Sequence, residues 1–352
     1  MSTRSETAAS PKDHAAIGAD VTGIREKTLW QHMLANQAFW VTVAVIVICI
    51  ATAIEQPNFA TKANFFNITR NFAAIGIMAM GMTAVILTGG IDLSVGSVMA
   101  LSAIGAARLL EADQAWYVAV CGGLSLGLIA GAINGWLIAY VKLPPFVVTL
   151  GMLSIARSMA VVLSENRVIY QFGSDAATFK SIGGGRVSLP WIDGGTLDFS
   201  NMFVMLVIAA VLMSFVLNYT AWGRYLFAIG GNEGATRLTG VPVDRIKFQA
   251  YLLAGMTAAI AAVMMTGWQG SASNGMGKGF ELYVIAATVI GGANLMGGHG
   301  SAYGAFIGAA LIFLIRNSLI MFGVDANWYD LFVGLFIIFA VLLERIRGRR
   351  GG

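Results

Sequence analysis

About ten apolar stretches, each long enough to cross a hydrocarbon core of about 30 Å, divide this chain, and little else about it leaves so few options. In lipid a backbone without water must satisfy its own polar groups, so stretches of this kind become helices. The expected fold is an all-α polytopic membrane protein with about ten transmembrane helices. Composition agrees, since 57% of the 352 residues are hydrophobic and only 11% are charged. The expected spans are 38–54, 71–88, 94–110, 116–141, 146–163, 201–219, 248–268, one beginning near Glu281, 301–322 and 328–343. Residues 1–37 form a polar N-terminal tail with no signal-peptide pattern, 38–344 the transmembrane domain, and 345–352 a basic C-terminal tail.

Charge sets the orientation. The net charge of +4 resides in loops and at the C-terminus rather than on a stripe interleaved with aromatics, which argues against nucleic acid and for a topology signal. With ten spans, the N-terminal tail, Lys142, the loop 220–247 and the arginines after Leu343 fall on one side, which the positive-inside rule makes cytoplasmic. Both termini are then cytoplasmic, and the polar segment 164–200 lies outside, as either a docking surface or a solvated loop.

The loop 220–247 carries Arg224, Arg237, Arg245 and Lys247 against Glu233 and Asp244. Asn232 can cap a short helix with Glu233 in its first turn, ending near Gly240 with Pro242 two residues beyond. Two Gly-Gly breaks look alike: TGGIDLSVGS at 88–97 and IGGANL at 290–295, which rejoins the pattern at Gly300-Ser301. Doubled breaks suit a transporter built from repeated halves; in a chain with 43 glycines, chance recurrence is the simpler alternative.

Ionisable residues inside apolar runs need a role. Asp92, with Ser94 two residues on, is placed to cap the third span, and substrate contact is the less economical reading. Arg157 lies mid-span, with Asp92, Glu165 or a substrate hydroxyl as its partner, and Arg316 is similar but nearer an end. Small or polar residues around Asn134 and Asn294 either let helices pack closely and move as units or are plain packing positions.

Catalytic patterns are missing. His14, His32 and His299 form no triad and no HExxH, and Cys49 and Cys121 have neither disulfide-framework nor zinc spacing. GMGKGF at 275–280 has Gly279 where a phosphate loop needs Ser or Thr. No cofactor is expected in this chain, and energy must come from a gradient or a partner.

Four segments together resemble the sugar permeases of bacterial ATP-binding-cassette importers of the ribose/xylose/galactose type. They are LTGGIDLSVGS at 87–97, PPFVVTLGMLSIARSMA at 144–160, AIGGNEGATRLTGVPVDRIKFQAYLLAGMTAA at 228–259 and GFELYVIAATVIGGANLMGGHGSAYGAFIGA at 279–309. The resemblance covers about 71–343. It implies that the segment beginning at Asn232 is a coupling helix, with Asn232, Glu233, Arg237, Gly240, Asp244 and Arg245 meeting an ATPase subunit that holds ATP and Mg. It also implies a periplasmic sugar-binding protein, a permease homodimer in the inner membrane, and import by alternating access. Asp92, Ser94, Asn134, Arg157 and Asn294 are then candidates for the helix breaks or translocation path. The chain departs from the family at Tyr283, usually an acid, at His299, commonly basic, and at Gly234 and Thr236, often Ala. A branched-chain amino acid permease of the same superfamily is the first alternative. A gradient-driven carrier would normally show paired membrane acids, where this chain has only Asp92 well inside.

Overall fold

The computed structural model describes residues 36–190, 195–332, 334, 335 and 338. Residues 1–35 of the expected tail 1–37, the expected tail 345–352 and most of the expected span 328–343 lie outside the described residues, and Gln37 already belongs to the first helix.

The helices run in the order α1 (Gln37–Glu55), α2 (Lys62–Leu87), α3 (Val95–Glu111), α4 (Trp116–Ala139), α5 (Pro145–Ser164), α6 (Ala176–Gly184), α7 (Asn201–Tyr219), α8 (Ala221–Gly231), α9 (Glu233–Leu238), α10 (Val243–Gln269), α11 (Phe280–Ile290) and α12 (Ala302–Met321). Among the described residues, seven are long and apolar enough to cross a membrane: α1, α2, α4, α5, α7, α10 and α12. α3 has 17 residues and α11 only 11. At 1.5 Å per residue α11 reaches about 16 Å, half a hydrocarbon core.

Side chains next to the apolar runs set many of the boundaries. Thr61, Ser200, Thr220 and Ser301 each accept a hydrogen bond from an amide in the first turn of α2, α7, α8 and α12. Pro144-Pro145 opens α5, where a missing N–H costs nothing. α2 starts nine residues before the expected 71, because its polar first turns are held by protein: Asn64 and Asn317 exchange amide hydrogen bonds at 2.9 and 3.2 Å, and Phe65 meets Phe199 edge-on at 5.6 Å.

The all-α expectation needs one correction. Within 164–200, α6 is followed by an antiparallel hairpin, β1 (Arg186–Pro190) and β2 (Thr196–Ser200), with Arg186 opposite Ser200 and Pro190 opposite Thr196. RVSLP and TLDFS both alternate polar and apolar residues, but each run is only five residues long and sits in a polar segment that reads as loop; cross-strand Ser188 to Asp198 and Arg186 to Asp198 contacts help to fix the register.

α10 lies at the centre, against α4 and α2, with α3 and α6 also in contact. Its approach to α4 is close because side chains are missing from both. A Cβ on Gly255 would stand 2.2 Å from the Gly127 carbonyl oxygen, and one on Gly131 would stand 2.6 Å from that of Tyr251. On another face, a Cβ on Gly81 of α2 would meet Thr257 Oγ1 at 2.3 Å. Lipid is as apolar as the side chains, so helices in a bilayer gain by such close packing rather than by hydrophobic burial. Gly131→Val should therefore destabilise the detergent-solubilised protein by about 1–3 kcal/mol, as overpacking does. Gly151→Ala, on an α5 position with nothing within 4 Å, should leave the thermal midpoint unchanged or raise it. Equal midpoints for the two variants would contradict the packing described here.

Candidate functional site

The polar loop contains two helices where one was expected. α8 is amphipathic, burying Gly223, Leu226 and Ile229, and α9 follows after the single residue Asn232. Asn232 Oδ1 accepts from the Ala235 amide at 2.9 Å, and Thr236 Oγ1 contacts the carbonyls of Ala228 and Asn232, both at 2.8 Å. α9 is thereby fastened to α8 although it is only 6 residues long. Glu233 in its first turn and Arg237 in its last complement the helix dipole. Gly240, at φ +83, turns the chain towards α10 in a conformation that only glycine adopts freely.

Charges tie this unit to the bundle. Arg237 Nη2 bridges Glu233 at 3.2 Å and Asp244 at 2.7 Å. Lys247 pairs with Glu233, and Lys142, from the turn between α4 and α5, pairs with Asp244. The Asp244 and Glu233 carboxylates hold the Arg237 guanidinium above its already high ordinary range. Burial works against ionisation of Glu233, but the hydrogen bonds and charges of Lys247 and Arg237 carry its carboxyl below the ordinary value. Arg245 is exposed and has no ion pair among the described residues. Leu238, at the end of α9, is 91% exposed.

Beneath α8 the two Gly-Gly breaks meet. The Gly298 amide donates to the Leu87 carbonyl at 3.1 Å, and α8 crosses this joint at Gly230, whose Cβ, if it had one, would lie 2.0 Å from Leu87 O and 2.2 Å from Gly298 N. Asn294 belongs to the same turn, its Oδ1 accepting from the Met296 amide at 2.9 Å and its N–H donating to the His299 carbonyl.

Three of the polar candidates come together in the first break. Asp92 Oδ1 accepts from the Ser94 amide at 2.8 Å and from Ser94 Oγ at 2.6 Å, and Asn134 Nδ2 of α4 donates to the same hydroxyl at 2.9 Å. All three residues are buried. Tyr251 of α10 adjoins the group, close against Gly90. Among the described residues its hydroxyl and Asn134 Oδ1 have no hydrogen-bond partner. Arg157 is elsewhere, with Nη1 donating to the carbonyls of Asn274 at 2.5 Å and Met276 at 3.0 Å, which fixes the loop before α11. It pairs with neither Asp92 nor Glu165; Glu165 instead meets Arg108 at 2.6 Å.

Sequence reasoning gave no site role to Tyr251, Leu238 or Gly230, and used Lys142 as a topology signal without pairing it with Asp244. Gly230-Gly231 is one of several Gly-Gly pairs in the chain, so the pair alone did not single it out, and nothing in the sequence distinguished Tyr251 from other span aromatics. Among the described residues no group of three or more His, Cys, Asp or Glu converges as a metal site.

A multi-span helical bundle with broken helices and an ion-paired surface helix is built as a membrane permease. Residues 64–341 match the family described as branched-chain amino acid transport system / permease component, and the chain belongs to that permease family. It is 36% identical over 307 residues to the ribose import permease protein RbsC of Escherichia coli, covering 86% of this chain and 92% of the relative. It is likewise 36% identical to the ribose import permease protein RbsC of Bacillus subtilis, over 86% and 90% of the two chains. The fructose import permease protein FrcC of Rhizobium meliloti is 35% identical over 91% of this chain and 89% of its own.

Removing the α9 cap should loosen that helix alone. Asn232→Ala should cost about 1 kcal/mol locally, speeding amide exchange at 233–238 by roughly fivefold while exchange in α10 stays as it was. Unchanged exchange at 233–238 would show that Asn232 is not the cap.

Proposed function

We propose that this chain is the transmembrane subunit of an ATP-binding-cassette importer for a monosaccharide, with ATP and Mg held by a separate ATPase subunit. The observation that carries this reading is the placement of α8 and α9: α9 is clamped by Arg237, Lys247 and Lys142 and fastened to α8, whose Gly230 lies against the joint of the two helix breaks. Relatives named for ribose and fructose import, aligned over most of their length, support a sugar as the cargo.

In this reading α9 is the coupling helix. Glu233 and Asp244 are engaged in the clamp, leaving the exposed Leu238 and Arg245 to face the ATPase. Displacement of α9 reaches α8 through Thr236 and then the Leu87–Gly298 joint through Gly230, because backbone in contact with backbone has no side chain to absorb the movement. The two breaks begin α3 and α12, so both helices would reorient together and alternately open the path. We take the about ten spans and the internal repeat as part of this proposal. The meeting of the two breaks supports it, as does α11, which spans only half a bilayer.

The same reading places α9 and both termini in the cytoplasm of a bacterial inner membrane and the hairpin β1–β2 outside, where a sugar-binding protein would dock. Two copies of the permease would serve two ATPase subunits.

Co-purification and uptake test the proposal. An ATPase should elute with the tagged wild type, and reconstituted vesicles should accumulate labelled ribose or fructose on ATP addition, with leucine as the comparison. Glu233→Lys should break the clamp and lose both association and uptake. Gly230→Ala should keep the ATPase bound but reduce sugar moved per ATP by about tenfold, the scale of one disturbed close contact. Uptake of leucine alone would transfer the chain to amino acid transport, and wild-type behaviour of Glu233→Lys would remove α9 from the coupling.

A further inference from the structure

The segment that leads from α10 into α11, residues 270–279, is non-helical backbone lying deep in the bundle. Its Gly277 packs on α3 so closely that a Cβ on Gly96 would stand 2.3 Å from the Gly277 carbonyl oxygen. The far end of α3, on the hairpin side, is marked by the ion pairs of Glu111 with Arg108 and Arg167. At 1.5 Å per residue the helix from Gly96 to Glu111 measures about 22 Å. Gly277 therefore sits near the middle of a hydrocarbon core of about 30 Å, and the short α11 covers the remaining half. From the side, Arg157 of α5 holds the segment by its Asn274 and Met276 carbonyls.

One side of this segment is open. Gly275 and Lys278 are exposed, and a Cβ on Gly279 would meet nothing within 4 Å. Among the described residues the Lys278 ammonium group has neither an ion pair nor a hydrogen bond. Irregular backbone at this depth is stable where protein covers it or where it lines water. A lysine too deep for its head to reach the interface needs water as well. The open side therefore faces an aqueous cavity rather than lipid. Ser154 and Ser158, on the Arg157 face of α5, are exposed too. Glu281, in the first turn of α11, adds an acceptor: its Oε2 is buried with no hydrogen-bond partner among the described residues. No cation there forms an ion pair with it, although the Arg157 charge lies within electrostatic reach. A donor and an acceptor three positions apart suit sugar hydroxyls, each of which both donates and accepts.

We propose that residues 275–281 line the sugar's aqueous path at mid-membrane, with Lys278 donating to the sugar's hydroxyls and Glu281 accepting from them. This inference rests on the sugar-permease reading above. One copy of the chain leaves Lys278 uncovered, so the facing wall of the path belongs to the second copy.

The test uses the full chain reconstituted with its ATPase and sugar-binding protein, with D-ribose and D-fructose as probes. In a Cys49→Ser, Cys121→Ser background, the thiol of the Lys278→Cys variant should react with a charged, membrane-impermeant reagent. The thiol of Val211→Cys, exposed on the apolar middle of α7, should not. Lys278→Met should slow uptake of whichever sugar is transported by about tenfold, the scale of one lost hydrogen bond to a charged group. The ATPase should still co-purify, and Lys278→Arg should restore most of the rate, which a folding defect would not explain. Glu281→Gln, of the same size, should slow uptake by a similar factor. If the wild type transports sugar but Lys278→Met and Glu281→Gln match it, or the thiol at position 278 reacts no faster than that at 211, the segment is not on the path and the permease reading survives. If the wild type moves no sugar, that reading fails and takes this site with it.

Discussion

The backbone contact between α10 and α4 is the constraint on which the arrangement depends. Gly127 and Gly131 on one helix and Gly255 on the other allow carbonyl oxygens and Cα atoms to approach where a single methyl group would intrude. That closeness places Asn134 beside Ser94 and Tyr251 beside Gly90, and so assembles the polar group of the first break. With 27 residues, or about 40 Å of helix, α10 also joins the two ends of the molecule. Asp244 and Lys247 in its first turns belong to the α9 clamp, and Trp268 near its last turn lies under the Arg70 guanidinium of α2, 4.5 Å from the ring centroid.

The interior polar groups divide into two kinds. Arg157 is satisfied by backbone carbonyls and acts as a fastening for the loop before α11. The Asp92 group is only partly satisfied, since the Tyr251 hydroxyl and Asn134 Oδ1 lack hydrogen-bond partners among the described residues. An unpaired polar atom in a buried site costs roughly 1–3 kcal/mol, so this part of the break is less firmly held than its surroundings. Such a junction, lying at the start of α3, suits a helix that changes direction.

Much of the fold was legible because lipid makes the length of an apolar run decisive. The span at 201–219 coincides with α7, and α4 and α5 differ from expectation by a residue or two. The Asn232 cap and the end at Gly240 were readable from punctuation alone. α8 was hidden because its Arg224 and glycines made a bundle-bound amphipathic helix look like loop, and the hairpin because its two alternating runs are only five residues each within a polar segment. Pairings were harder still. Sequence offered Arg157 a choice of carboxylates, whereas the fold gave it carbonyls 117 and 119 positions away, and no local signal encodes such a partner.

α2 illustrates the difference between suiting lipid and suiting protein. Of the seven spans it has the lowest mean hydropathy, 1.5, and the largest buried share, 89%, while α1 before it has 2.3 and 17%. The helices that cover it, α7, α10 and α12, come more than a hundred residues later in the chain. During synthesis the membrane therefore receives, almost first, the span least able to remain there unaided, and the surfaces that shelter it almost last. Until the chain's second half is made, the face that α2 buries in the bundle has no protein to cover it.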